Sequence, residues 1–284
     1  MRTLAIVLLL ILALVLVTVS CDSGESITPT PTPSFSPTPA LERGGLKLIH
    51  KDAEGGAYFH MDIARADQDL AEVYDSFAAS VSEDEEELQD LGIELSQMDY
   101  VAMQMEEYGQ TAGVIYGQFD FENIRDSLSD LDLTQGSYEG VEFWSGYYST
   151  YGDMGVAILA DGLIWGDEEV AKSLVRTIEG SDPSFHEMPK VKEVLDRLPG
   201  WTPLMAMVSL NPLSDFDIPY AESAGYAIAK EDRNNLKYRM VVKFLDSDIA
   251  QQMLETMMGD PATETRRDGS FVIVDAKMPI EDFY

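Results

Sequence analysis

One dipeptide constrains the fold more than any other stretch of its length. Asp161-Gly162 stands between two apolar runs, residues 156–160 and 163–166. Asp-Gly in that setting predicts a tight hairpin whose two turn residues sit at positive φ. Similar punctuation recurs through the body. Residues 57–63 alternate like a strand, and Leu70, Val73, Phe77 and Val81 follow at helical spacing. Ser82 with Glu85 reads as a capping box. Residues 100–106 and 111–118 read as paired strands turning around Gly109, and Asp120 caps a helix with Phe121, Ile124, Leu128 and Leu131 on one face. Asp167 is expected to cap a helix carrying Val170, Leu174 and Ile178 inward, with Gly180 ending it. Pro189 opens another with Val191, Val194 and Leu198, stopped by Pro199-Gly200. The rest reads as a strand over 204–210, a hairpin of 226–230 with 238–245, a helix with Ile249, Met253 and Met257, and a strand over 271–278. The expectation is an α+β fold, mostly antiparallel sheet with interleaved helices. A pseudo-repeat of strand-helix-hairpin-helix units is read from Tyr58 to Ile63 and Val114 to Phe121, with Met205 to Leu210 as a third strand.

The N-terminus carries a different kind of signal. Arg2 precedes an apolar run over 4–17, closed by Thr18-Val19-Ser20-Cys21, the chain's single cysteine. This resembles the lipobox of bacterial lipoproteins, with Thr18 where Leu or Val is commoner. The resemblance implies a signal peptide over 1–20, a lipid-modified Cys21 as mature N-terminus, and an extracytoplasmic protein held to the cell membrane by its acyl chains. The alternative is an uncleaved single-span anchor. Asp22 resembles the inner-membrane retention signal of some Gram-negative lipoproteins. Residues 21–43 form a Pro/Thr/Ser linker, extended by alternating proline at about 3.1 Å per residue. The body spans 44–284, with 44–211 and 212–284 as sub-units.

Charge narrows the partners. With Lys+Arg 19 against Asp+Glu 51, the 284-residue chain carries −32, and loss of Arg2 makes it more negative still. That balance argues against nucleic acid, whose phosphates demand basic patches, and it repels anionic lipid, holding the head off the bilayer.

The strings Leu91-Gly-Ile-Glu-Leu, Tyr138-Glu-Gly-Val-Glu-Phe and Ala160-Asp-Gly-Leu-Ile-Trp-Gly-Asp-Glu-Glu resemble an uncharacterised family of secreted or membrane-anchored bacterial proteins with a domain of unknown function. The similarity covers about residues 47–211 and implies no activity or site residues.

Catalytic motifs are scarce. There is no Gly-x-Ser-x-Gly elbow, His-Glu-x-x-His, cysteine pair or phosphate-cradling glycine loop, and the only histidines are His50, His60 and His186. Asp130-x-Asp132-x-Thr134 begins like a calcium loop, but Gln135 and Val141 occupy its glycine and closing glutamate positions; Asp215-x-Asp217 is shorter. The run Glu83 to Glu87 reads as a first helical turn, not a metal site. Met103-Gln-Met105 and Met205-Ala-Met207 could chelate Cu(I), but at i, i+2 they read better as core stripes. No catalytic residue, metal or cofactor is assigned. The most informative cluster is aromatic: Phe143 toward the core, and Trp144, Tyr147, Tyr148 and Tyr151 as a binding patch for a sugar or a protein. The functional expectation is a lipid-anchored, non-catalytic interaction module for an unidentified protein or small ligand. The alternatives are a carrier of a small apolar or lipid ligand and a carboxylate-dependent hydrolase of envelope polysaccharide.

Overall fold

The computed structural model describes residues 45–75, 91–106, 111–148, 152–198, 203–212, 218–257 and 263–282. The strands are β1 (Gly55–His60), β2 (Met98–Met105), β3 (Thr111–Gly117), β4 (Thr134–Tyr138), β5 (Val141–Tyr148), β6 (Gly152–Ile158), β7 (Gly162–Asp167), β8 (Met205–Ser209), β9 (Ala221–Lys230), β10 (Asn235–Phe244), β11 (Thr263–Asp268) and β12 (Phe271–Pro279). The helices are α1 (Met61–Ala66), α2 (Phe121–Asp130), α3 (Glu168–Ile178), α4 (Pro189–Leu195) and α5 (Ser247–Met257), and residues 71–75 are also helical. Among the described residues no helix is long and apolar enough to cross a membrane. The linker over 21–43, the Ser82–Glu85 capping box, the Gly109 turn, Pro199-Gly200 and Asp215-x-Asp217 lie outside the described residues.

All twelve strands belong to one sheet, in the order β11-β12-β10-β9-β8-β1-β2-β3-β7-β6-β5-β4. Every neighbouring pair is antiparallel. The sheet runs unbroken past residue 211, because β8 pairs with both β1 and β9. On each side of the centre the chain leaves a hairpin through a helix and restarts at an outer edge. After β2 and β3, α2 leads to edge strand β4; after β9 and β10, α5 leads to edge strand β11.

Both faces of the sheet are covered. On one, Phe59, Met103, Ile115, Trp144, Trp165, Met205 and Met207 pack with Ile124 and Leu128 of α2 and Ile249 and Met253 of α5. On the other, Tyr100, Val114, Tyr116, Phe143, Ile164 and Val241 lie under Val170, Leu174 and Val175 of α3, Phe185, and Val191 and Val194 of α4. A strand buried on both sides needs apolar residues at odd and even positions alike, which is why β3 and β7 read as near-continuous apolar runs. The methionines of β2 and β8 pack on the first face: Met98, Met103, Met205 and Met207 are buried, and Met105 is partly buried against them.

Several local expectations need correction. The strand read over 57–63 stops at His60, and Met61 to Ala66 turn into α1. At Asp161-Gly162 the hairpin forms, but neither residue has positive φ. The loop is longer, with Ile158 opposite Leu163 and Leu159 N–H donating to Gly162 C=O at 2.9 Å. Gly162 is needed because a Cβ there would strike the Ile115 carbonyl on the neighbouring strand. The two-residue turn with positive φ throughout is Glu139-Gly140 (φ 50 and 84), which closes β4 on β5 with Tyr138 opposite Val141. Asp167 precedes α3 without capping it; its Oδ2 accepts Thr111 N–H at 2.8 Å and so ties β7 to β3. Asp120 does cap α2, accepting from Glu122 and Asn123 N–H.

Candidate functional site

Alternation along β5 decides the fate of the aromatic cluster. Residues two apart share a face, so Trp144 and Tyr148 point one way and Phe143 and Tyr147 the other. Trp144 is 5% exposed, and its Nε1–H donates to Glu142 Oε1 at 3.0 Å. Phe143 is buried in the opposite core, beside Tyr138. Tyr148 is half-buried against the core containing Trp144. Tyr147 stands out at 74% exposure. Tyr151 and Cys21 lie outside the described residues. Trp144, Tyr147 and Tyr148 therefore do not make one surface patch: one anchors the core, one leans on it, and one is presented to solvent.

What surrounds them is the open edge of the sheet. β4 reads Thr134-Gln135-Gly136-Ser137-Tyr138, uncharged throughout and exposed except at Tyr138. Its partner β5 is held from below by a polar knot. Arg125 of α2 grips Glu142 through Nε (2.9 Å) and Nη2 (2.8 Å), while Gln135 and Trp144 donate to the same carboxylate. Those hydrogen bonds, Arg125 first, hold the Glu142 carboxyl down at about 2. On the other face Tyr138 accepts from Arg176 Nη1 at 2.6 Å, and its ring lies beneath Lys172.

Arg176 continues into an interior brace. Its Nε donates to Asp182 Oδ2 at 2.7 Å, and the same oxygen faces His50 Nε2 at 3.2 Å. His50 Nδ1 accepts Asp52 N–H, which leaves the ring proton on Nε2 for Asp182. His50 N–H donates to Gln104 Oε1, and Gln104 Nε2 donates to Glu106 and to Ser173 Oγ. Gln104 is wholly buried, so these bonds replace the water it loses. Burial raises Glu106 above the usual carboxyl range; the Gln104 bond opposes this, and Asp52 and Glu54 add to it. Together these side chains fasten residues 45–54 across β2 and α3 to the β4 end. His60 is elsewhere, buried against Tyr100 (ring centroids 4.9 Å apart) with Asp62 at 3.7 Å from its Nδ1. His186 sits in the short turn Phe185–Glu187, its basicity lowered chiefly by burial. Asp130 and Asp132 end α2, with Asp132 at φ 59 in a helix-terminating turn. Among the described residues no three His, Cys, Asp or Glu side chains converge as a metal site would require.

At the same end lies an open groove of about 390 Å³. Tyr116, Val141, Leu159 and Ile178 line it, with Gly140 of the hairpin turn, Asp161 of the β6–β7 turn and Glu179 just past α3. Gly140 is the one sequence signal for the turn after β4, since glycine accepts positive φ without steric cost, whereas Glu139 gives none. Nothing in the sequence places residues 116, 141, 161 and 178 side by side.

No family model matches the chain, and no curated protein matches it. Among solved structures the chain is similar to crystal forms I and III of TP0453, at TM-scores of 0.49 and 0.46 and 12% identity in both cases. Each alignment covers 84% of this chain, with 94% and 95% of the respective TP0453 chains.

Proposed function

We propose that the protein is a lipid-anchored, extracytoplasmic interaction module that engages a protein partner by strand addition along β4. The anchor is the lipobox-like Cys21, with the proline-rich linker setting the head away from the bilayer. The observation carrying the interaction reading is β4: an exposed, uncharged edge strand at the end of a twelve-stranded antiparallel sheet. Among the described residues β4 has no strand on its outer side; such an edge offers a row of backbone donors and acceptors, and natural proteins usually blunt it with charge. Tyr147, exposed on the neighbouring strand, adds an aromatic contact. The pseudo-repeat of strand-helix-hairpin-helix units, with β1 and β3 each running into a helix and β8 as a third strand, is part of the same reading.

The test is site-specific photo-cross-linking of the full-length protein in intact cells. A photoreactive side chain at Ser137 is expected to yield a discrete adduct, and one at Glu264 on β11 is expected to yield none. Adding Thr134→Lys beside the Ser137 probe should reduce the adduct at least fivefold without changing stability. Equal labelling at both edges, or none at Ser137, overturns the reading. For the anchor, Cys21→Ser should abolish incorporation of radiolabelled palmitate and release the protein from the membrane fraction; retained labelling sinks that half of the proposal.

A further inference from the structure

We infer that the outer side of the layer formed by residues 45–51 and 183–195 is a docking surface for anionic lipid headgroups, which turns this side of the head toward the bilayer. The inference rests on the reading of Cys21 as the anchor and is independent of strand addition at β4. In this layer Leu46, Leu48, Ile49, Phe185, Val191 and Val194 pack inward on the second face of the sheet. Lysines stand between them: Lys47, Lys190 and Lys192 are exposed, and Lys51 is half-buried. Backbone bonds hold the two segments side by side, from Lys51 N–H to Pro183 C=O at 3.2 Å and from Phe185 N–H to Ile49 C=O at 2.7 Å. Burial first, and then the charges of Lys47 and Lys192, lowers the basicity of His186, so a lysine from each segment lies close to this one side chain.

These lysines stand apart from the protein's other cations. Among the described residues Lys47, Lys51, Lys190 and Lys192 form no ion pair, although acidic side chains outnumber Lys and Arg by 51 to 19. Every other described lysine and arginine meets a carboxylate, except Arg267, which donates to the Ser247 carbonyl. The unpaired lysines therefore share one surface instead of being scattered. Asp52, Glu187 and Asp196 are the exposed acids beside it; Glu193 is taken by Lys243, and Asp182 by Arg176 and His50. Lysine is thus in local excess on a chain that is strongly acidic overall.

The position of the patch names its partner. The described body begins at Gly45, two residues before Lys47, so the chain arriving from Cys21 joins the head at this surface. A tether makes weak contacts count, because it keeps the local concentration of headgroups high. Attraction between lysine and an anionic surface fades within a Debye length, so it acts only on the side that touches. The acidic remainder of the head is repelled at the same time. Attraction and repulsion together select one orientation, with the second face of the sheet toward the membrane and the first face, under α2 and α5, away from it.

The experiment places a fluorescent amino acid at Ser181, beside the layer, or at Ser129 on α2, both exposed positions. The full-length protein is extracted with its anchor and reconstituted on phosphatidylcholine vesicles carrying nitroxide-labelled headgroups, with or without a third of phosphatidylglycerol. With phosphatidylglycerol, the Ser181 reporter should be quenched at least threefold more than the Ser129 reporter. Without it, or in about 1 M salt, the difference should vanish. The triple variant Lys47→Gln/Lys190→Gln/Lys192→Gln should erase the difference and unfold at the wild-type temperature, since these side chains are exposed and unpaired. Equal quenching at both positions on the anionic vesicles, or a difference that persists in the triple variant or on neutral vesicles, overturns the inference. Saturable binding of a heptaglutamate peptide without any vesicle-dependent quenching would assign the surface to an acidic protein segment and overturn it as well. Palmitate labelling at Cys21 is read separately, so loss of the anchor and loss of the orientation are told apart. The Ser137 cross-link is expected to survive the triple variant.

Discussion

At the β11 end, four of the six edge residues are charged, and nearly all of that charge is tied down. Arg266 meets Asp275, which also takes a two-point grip from Arg239, and Arg239 donates onward to the Arg197 carbonyl. Arg197 pairs with Asp268 and lies over the Phe271 ring at 3.7 Å, while Arg267 reaches the Ser247 carbonyl at the start of α5. The β4 end has no charge on the edge strand itself. The Arg125–Glu142 ion pair lies one strand inward, on β5, and Gln135 of β4 donates to the same carboxylate. One edge is closed by crossed charges and by α5, and the other is stiffened from behind and left presentable. The difference teaches that edge chemistry is built locally, strand by strand: the residues of β11 are mostly charged, and those of β4 carry no charge.

Trp144→Ala tests the stiff backing of the β4 end and should have the largest effect. The ring is core, so the loss is about 3–5 kcal/mol by urea unfolding. Tyr147→Ala on the same strand should stay within about 0.5 kcal/mol, as an exposed residue does. Similar losses at both positions would mean that β5 does not alternate as described. At the other end, Asp275→Asn leaves Arg239 and Arg266 facing each other without their shared carboxylate. Partial exposure moderates the cost to about 1–2 kcal/mol, and the Ser137 cross-link should be untouched. A drop in that cross-link would show that the two edges are coupled.

The smallest effect is electrostatic. Glu142 has a folded pKa of about 2 against 4.5 for a free carboxyl, so its contribution is fully present above pH 4.5 and is lost as pH falls through 2. The pair is partly solvated, which screens it to about 1 kcal/mol. Glu142→Gln should therefore flatten the wild-type decline in urea midpoint between pH 4.5 and 2 while costing about 1 kcal/mol at pH 7. An unchanged pH slope would show that Arg125 does not grip the β4 end in solution.

Much of the local structure was legible. Asp120 caps α2, Pro189 opens α4 and Gly180 ends α3 at φ 76, each from properties of the residue and its immediate neighbours. The strands read over 100–106, 111–118, 204–210 and 271–278 form, within two residues at each end, as 98–105, 111–117, 205–209 and 271–279. β11 was not, because a strand made of Thr, Glu and Arg has no apolar signal and is held by its neighbour's ladder and by side-chain pairs. The aromatic cluster was legible as important but not as divided. Its allocation to two faces depends on the exact register of β5, and a shift of one residue would exchange core for solvent.

By itself, then, the sequence determined what short-range forces can determine: much of the punctuation of helices and hairpins, the α+β class and the buried methionines of β2 and β8. Tertiary structure alone decided that β4 and β11 are the edges, that Asp167 serves Thr111 and not its own helix, and that Tyr116, Val141, Asp161 and Ile178 share one groove. The physical reason is range. Caps and turns are satisfied within a few residues, whereas strand order and groove lining come from pairings between distant segments, where each backbone must find its partner before any side chain acquires a neighbour.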